Sequence, residues 1–301
     1  MKLSEVTLTM HKSMTAMIVT GILVVLSVFV PAIHADEKDD FFEAVQKRDL
    51  KRVEDLLDRG VDVNAKRFGC DTALMLIPIY GRQNSELMKL LLERGADINA
   101  KSKRGRTVLT YAAASCATDN VKFYLDNGAD INVREITGDT ALILASCEDC
   151  CDTVKVLLDR GADVNAKNAV GFTALISAVS GCLAKSVAVE NKISVDSRCP
   201  FDRATNGPSY LECPLGRAIK LLLDAGADVN ARDDNGRTAL MWAIDSPILS
   251  VDEVKLLLER GADVNVKDKQ GKTALMRAVA NARLAGANKI AELLRAHGAT
   301  E

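Results

Sequence analysis

Hydrophobic and polar positions are arranged in two different ways along this chain. Met14 to Val30 is an uncharged run with no polar face, preceded by Lys2 and Lys12 and followed by Pro31 and Ala32-Ile33-His34-Ala35. Beyond Asp36 the apolar residues instead fall at helical spacing in short segments, as in Val154-Lys155-Val156-Leu157-Leu158 and Val254-Lys255-Leu256-Leu257-Leu258. That spacing predicts amphipathic helices of two to three turns. Arg-Gly or Ala-Gly closes them, supplying the left-handed residue that ends a helix. Asp-Val-Asn and a turn with Gly at its tip come next, as in Asp233-Asp234-Asn235-Gly236. Thr-Ala-Leu then opens a second kind of helix, whose small side chains permit close stacking on neighbours.

These elements recur with a period. Gly-x-Asp-Val/Ile-Asn begins at Gly60, Gly95, Gly128, Gly161, Gly226 and Gly261, with a truncated echo at Gly298-Ala299. The intervals are 33 to 37 residues apart from one of 65. Thr-Ala/Val-Leu begins at Thr72, Thr107, Thr140, Thr173, Thr238 and Thr273, always 12 residues after the first phrase. Two markers in phase over this many copies specify stacked units, none of which buries its apolar face alone.

Glu93-Arg94-Gly95-Ala96-Asp97-Ile98-Asn99-Ala100 and Asn235-Gly236-Arg237-Thr238-Ala239-Leu240 resemble the ankyrin-repeat pattern, and the resemblance covers roughly residues 39 to 301. It implies an all-α solenoid of about seven helix-turn-helix repeats with hairpin tips, in which Phe41 to Lys66 and the segment after Lys267 are the terminal caps. The helix start departs from the family in having Thr-Ala-Leu-Met or similar for Thr-Pro-Leu-His, a change that helix propensity tolerates. Cys70 stands where the turn Gly belongs, with Gly69 one place early.

The 65-residue interval holds one repeat and a surplus of about 32 residues. Counting from both sides places the surplus between the two helices of its repeat, as a loop insertion at about 183–213 with Cys182 and Cys213 at its feet. Asp196-Ser197-Arg198-Cys199-Pro200 and Asn206-Gly207-Pro208-Ser209 read as loop. A Cys182 to Cys213 disulfide is expected, worth roughly 3 to 4 kcal/mol in the loop-entropy model. Cys116, Cys147, Cys150 and Cys151 fall at the helix-to-helix loops of the two preceding repeats. Proximity suggests Cys116 with Cys150, and Cys199 with Cys147 or Cys151, leaving Cys70 over. Cys147-x-x-Cys150-Cys151 resembles half of a zinc site, but no second Cys-x-x-Cys follows, so disulfides are the preferred reading.

Composition narrows the function. With 39 Lys plus Arg against 41 Asp plus Glu, the formal charge is −2, which offers no basic footprint for nucleic acid. Aromatics at 4% supply no stacking platform. Residues 1–35 read as a signal peptide, since the apolar run is shorter than the roughly 20 residues of a spanning helix. An uncleaved membrane anchor is the alternative. A mature chain of residues 36–301, periplasmic or secreted, monomeric and without a membrane span, is expected.

Phosphate-cradling loops, zinc-protease helices and nucleophile elbows are missing from the sequence, and His297 is the one histidine after processing, so no catalytic residue, cofactor or metal is expected. The Asp and Asn of the Gly-x-Asp-Val-Asn phrase recur with the period and are read as turn residues. Trp242 is read as core. The resemblance implies a protein partner docked on the hairpin tips and concave face. Phe68, Ile136, Val170 and Phe172 have no packing duty that the repeat requires, and together with Arg104, Arg106 and Arg237 they are the candidate contacts; Tyr80 extends the same face. A membrane-held scaffold of the cell envelope and a secreted effector binding a host protein are the alternatives.

Overall fold

The computed structural model describes residues 37–68, 70–77, 85–180, 216–246, 251–281 and 286–300. Helices occur in pairs, an inner helix followed by an outer one, and seven such pairs are present among the described residues. Helix α1 covers 37–47 and pairs with α2 (Leu50–Asp58); α3 (Ala73–Leu76) pairs with α4 (Ser85–Glu93) and α5 (Val108–Ala114) with α6 (Thr118–Asp126). Helices α7 (Ala141–Cys147) and α8 (Cys151–Asp159) follow, then α9 (Ala174–Ser180) and α10 (Arg217–Asp224). The last two pairs are α11 (Ala239–Asp245) with α12 (Val251–Glu259) and α13 (Ala274–Ala280) with α14 (Ala287–Ala296). The architecture is therefore the all-α solenoid expected. One two-stranded hairpin, β1 (Lys66–Arg67) with β2 (Asp71–Thr72), is added to it.

Inner helices α5, α7, α9, α11 and α13 pack side by side, and outer helix α8 lies between α6 and α10. The inner helices are short and small-residued, so they are buried almost completely; every residue of α5 is buried. Several begin on a threonine whose hydroxyl caps a backbone N–H, as Thr140 does for Ile143 and Thr273 for Met276 at 3.3 Å. Outer helices bury one stripe only, such as Val154 and Leu157, and turn Asp and Lys outward. Each ends at a glycine in the left-handed region, Gly95 at φ +86° being typical. There the N–H of Gly95 reaches Leu92 O and that of Ala96 reaches Leu91 O.

A single apolar core runs from Phe41 to Leu294. At its amino-terminal end Phe41 and Phe42 are fully buried, with Asp39, Asp40 and Glu43 outside. At the other end Met276 and Val279 are exposed by 40% and 53%. Met241 and Ile244, one repeat earlier, are buried, because α13 covers them, whereas no further inner helix among the described residues packs on the Met276 and Val279 face of α13.

Neighbouring repeats are tied by the asparagine of the recurrent phrase. Its own N–H is taken by the aspartate two residues before, as in Asn99 N to Asp97 Oδ1 at 2.9 Å. Its side chain crosses to the next unit, where Asn99 Nδ2 donates to Gly128 O and Asn99 Oδ1 accepts from Asp130 N. The same pair of bonds joins Asn64, Asn230 and Asn265 to the units beyond them. It also joins Asn165 to Gly226 and Asp228, although more than 60 residues separate them. Two bonds thus carry the stacking register past the long interval.

Cys116 and Cys150 form a disulfide between the helix-to-helix loops of the third and fourth repeats, with Cα atoms 5.2 Å apart. Cys70 and Cys151 each take part in a further disulfide, so Cys70 is not the leftover cysteine its isolation in the sequence suggested. Cys147 remains a thiol. The Cys182 to Cys213 bridge, Cys199, the insertion at 183–213 and residues 1–35 lie outside the described residues. No helix among the described residues is long and apolar enough to cross a membrane.

Candidate functional site

The hairpins between repeats form a continuous row. Each turn is closed by a side chain at its base: Asp233 Oδ1 accepts from Asn235 N and Arg237 N at 2.8 Å. Asn168 does the same for Val170 and Phe172, and Asp268 for Gln270 and Lys272. Successive tips are then joined through the backbone, by Ile136 N to Arg104 O, Ala169 N to Thr137 O, Asp234 N to Val170 O and Lys269 N to Asn235 O, at 2.8 to 3.1 Å. The contact is close. A Cβ on Gly138 would lie 2.7 Å from Ala169 N, which is why glycine holds that turn at φ +78°. The first hairpin is built differently. Cys70 occupies the glycine position, its N–H bonds Arg67 O, and Phe68 takes the positive φ of +50° instead.

Behind the tips, at the base of the concave face, polar side chains pair from repeat to repeat. Tyr111 Oη donates to Asp71 Oδ1 at 2.9 Å, and burial followed by the Asp71 charge pushes the phenol pKa up. Arg106 and Glu135 form a nearly buried ion pair. Thr137 Oγ1 lies 2.6 Å from Glu135 and 2.8 Å from Asp139, whose other oxygen receives Asn168 Nδ2 at 2.7 Å. In the later repeats the Phe172 ring meets Trp242 edge-on at 5.3 Å. Arg237 stacks 3.6 Å above Trp242, and Trp242 Nε1 donates to Asp233. Arg237 and Arg277 share Asp245, which Asn281 also reaches. Burial and the neighbouring Arg277 lower the Arg237 pKa. Burial pushes Asp268 up, but hydrogen bonds from Lys272 N, the Arg277 side chain and Gln270 N outweigh it and hold that carboxyl below its ordinary value. Carboxylates held this way by donors act as fasteners between repeats.

The candidate contact residues separate into two groups. Phe68, Ile136 and Val170 stand at the tip apices, exposed by 58%, 61% and 37%. Phe172 and Arg106, grouped with them from sequence, are buried. Phe172 does have a packing duty, against Trp242, and Arg106 is held by Glu135, so neither belongs to an exposed patch. Arg237 is half-buried on Trp242 and Asp245, and Arg104 is also half-buried. Trp242 is partly exposed while packing on the core. Tyr80 lies outside the described residues. Sequence reasoning missed a second row. Lys66, Lys101, Arg134, Lys167, Arg232 and Lys267 occupy one repeat position, are basic in all six units and are exposed. Lys66, Arg134, Lys167 and Arg232 each donate to the backbone carbonyl of the next member of the row. The signal was present in the aligned repeats as a conserved charge sign at a fixed phase.

Among the described residues no group of three or more His, Cys, Asp or Glu is placed to hold a metal ion. A family model described as ankyrin repeats (3 copies) matches residues 41–135, 83–168, 120–198 and 212–300, most of the chain between them. No curated protein matches.

Proposed function

The chain belongs to the ankyrin-repeat family, and from that premise we propose that it is an exported, non-catalytic binding module whose protein partner docks on the hairpin tips of the second to fifth repeats. Repeats of this kind are in general protein-protein interaction units. One observation carries the reading for this chain: Phe68, Ile136 and Val170 project from the hairpin tips, and the backbone of the Ile136 and Val170 tips is already locked to its neighbours. Apolar side chains held at fixed places on a rigid row, without any share in stacking, suit a partner's apolar groups. Export is supported by residues 1–35 and by the disulfides, which persist in oxidising compartments.

Affinity capture with the full chain from the exporting cell identifies the partner. Phe68→Ser, Ile136→Ser and Val170→Ser together should then weaken its binding at least about tenfold, since a few central apolar residues dominate such interfaces. The thermal midpoint should stay unchanged, because all three side chains face water. Equal affinity of the triple variant and the original chain refutes the docking site.

A further inference from the structure

We infer that the tip row of the second to fifth repeats takes an extended, acidic segment of the partner in which apolar residues are interspersed. The inference rests on the tip-docking reading above and adds the chemistry of what docks. Its first ground is a segregation of charge within each hairpin. Asp71, Glu135 and Asp139 all turn inward, to Tyr111, to Arg106, and to Thr137 and Asn168. Lys66, Lys101, Arg134 and Lys167 turn outward, and none of them forms an ion pair among the described residues. Where their hydrogen-bond partners are seen, these are backbone carbonyls, which hold the side chain in place without neutralising it. A chain of formal charge −2 therefore presents a cationic row along one edge.

The second ground is what stands beside that row. Exposed aspartates, Asp62, Asp97, Asp130 and Asp163, precede the basic position by four residues, on the side towards the outer helices. They limit the long-range field, so recognition operates at contact, within about a Debye length of 8 to 10 Å. On the other side, two or three residues on, are the apices with Phe68, Ile136 and Val170. A nucleic acid would satisfy the cations but leave Ile136 and Val170 in water, and one aromatic is a poor stacking platform. A polypeptide with both carboxylates and apolar side chains satisfies both rows.

The third ground is geometric. The backbone N–H groups of Ile136, Ala169 and Asp234 are consumed by tip-to-tip bonds, so these tips offer none of those groups for strand pairing. Reading must occur through side chains. Packed repeats advance by roughly 10 Å, and an extended chain of the polyproline II type rises about 3.1 Å per residue with three residues per turn, so a carboxylate on about every third residue stays on one face and matches the cations.

The test uses the full chain and three synthetic peptides of equal length, built on repeated Glu-Leu-Ser, Lys-Leu-Ser and Glu-Ser-Ser, with oligothymidylate as the polyanion. The Glu-Leu-Ser peptide should bind at least tenfold more tightly than either other peptide and than oligothymidylate, and weaken as salt is raised. Lys66→Gln, Lys101→Gln and Lys167→Gln together should cost at least tenfold at an unchanged melting temperature. Equal binding of the Glu and Lys peptides, both lost in the triple serine variant, overturns the charge inference and leaves tip docking intact. Glu-Leu-Ser binding that survives the serine variant but not the glutamine variant overturns tip docking through the apolar residues. Tighter binding of oligothymidylate, or binding of no peptide, overturns the inference.

Discussion

Asp149 sits in the loop between α7 and α8 at φ +54°, the place where the last repeat has Gly286 at φ +86°, each 12 residues before the glycine that ends its outer helix. Asp and Asn visit this left-handed region more readily than other side chains, so the backbone tolerates it. The charge is less welcome. Burial, and then the Glu253 carboxylate, push the Asp149 pKa up to about 6. The native state thus holds this proton to higher pH than the unfolded chain, which releases it near 4. Folding stability contributed here is present below pH 4, falls as pH rises to about 6, and stays lost above. Unscreened, that difference would amount to about 3 kcal/mol, but the group is only about half-buried and solvent screening reduces it to about 1 kcal/mol. Asp149→Asn should therefore raise the thermal midpoint at pH 7 by roughly 2 to 4 °C and leave it unchanged near pH 4. An equal shift at both pH values refutes the assignment. The partners of single side chains were the least legible part of the sequence. Phe172 looked unoccupied because its companion, Trp242, comes 70 residues later, beyond the long interval, and Arg106 gave no sign that Glu135 would bury it. A repeat pattern fixes which positions are equivalent; it does not say which variable side chains meet.

At the scale of the element, the unit depends on the asparagine that links each hairpin to the next. Its two cross-repeat bonds are made where the outer helix ends, by a carbonyl and an amide that would otherwise lack protein partners. Asn165 is the informative case, because its bonds to Gly226 O at 3.3 Å and from Asp228 N at 2.8 Å join the segments on either side of the long interval. Removing them at an exposed turn should cost about 1 to 3 kcal/mol. Asn165→Ala is expected to lower the denaturant midpoint by that amount and to raise amide exchange in α10 before α6, while Asn127→Ala, whose side chain returns to Phe123 O in its own helix, should be nearly neutral. Equal losses from the two variants would mean that the bridge adds nothing. Helix pairs, their order and the glycine stops were legible because each repeat states them again, so a single local exception could not mislead. Two features were not. The positive-φ loop position carries Arg48, Cys116 or Asp149 rather than glycine in the early repeats, which hides it. The basic row was masked by the near-balance of charge over the whole chain.

For the molecule as a whole, stability is a sum of units and the interfaces between neighbours, so any weak interface is a place where the stack can open. The Cys116 to Cys150 bond closes one of those places. It joins loops 34 residues apart in sequence, for which the loop-entropy model gives roughly 4 kcal/mol. The bond lies on the edge formed by helix-to-helix loops and away from the hairpin tips, so its loss should act on the cohesion of the third and fourth repeats and spare the arrangement of Ile136 and Val170. Cys116→Ala with Cys150→Ala leaves the other disulfides in place and should lower the unfolding free energy by a few kcal/mol. It should also break the transition into two, with amides of α5 and α6 exchanging separately from those of α7 and α8, where the parent chain protects them together. Binding to the captured partner at low temperature should remain within about twofold, because the tip-to-tip bonds from Arg104 to Ile136 and from Thr137 to Ala169 are made by residues the substitution does not touch. A variant that unfolds in one transition at the parent's midpoint would show that the core and the asparagine bridges already lock these repeats, and that the disulfide is idle in the folded chain.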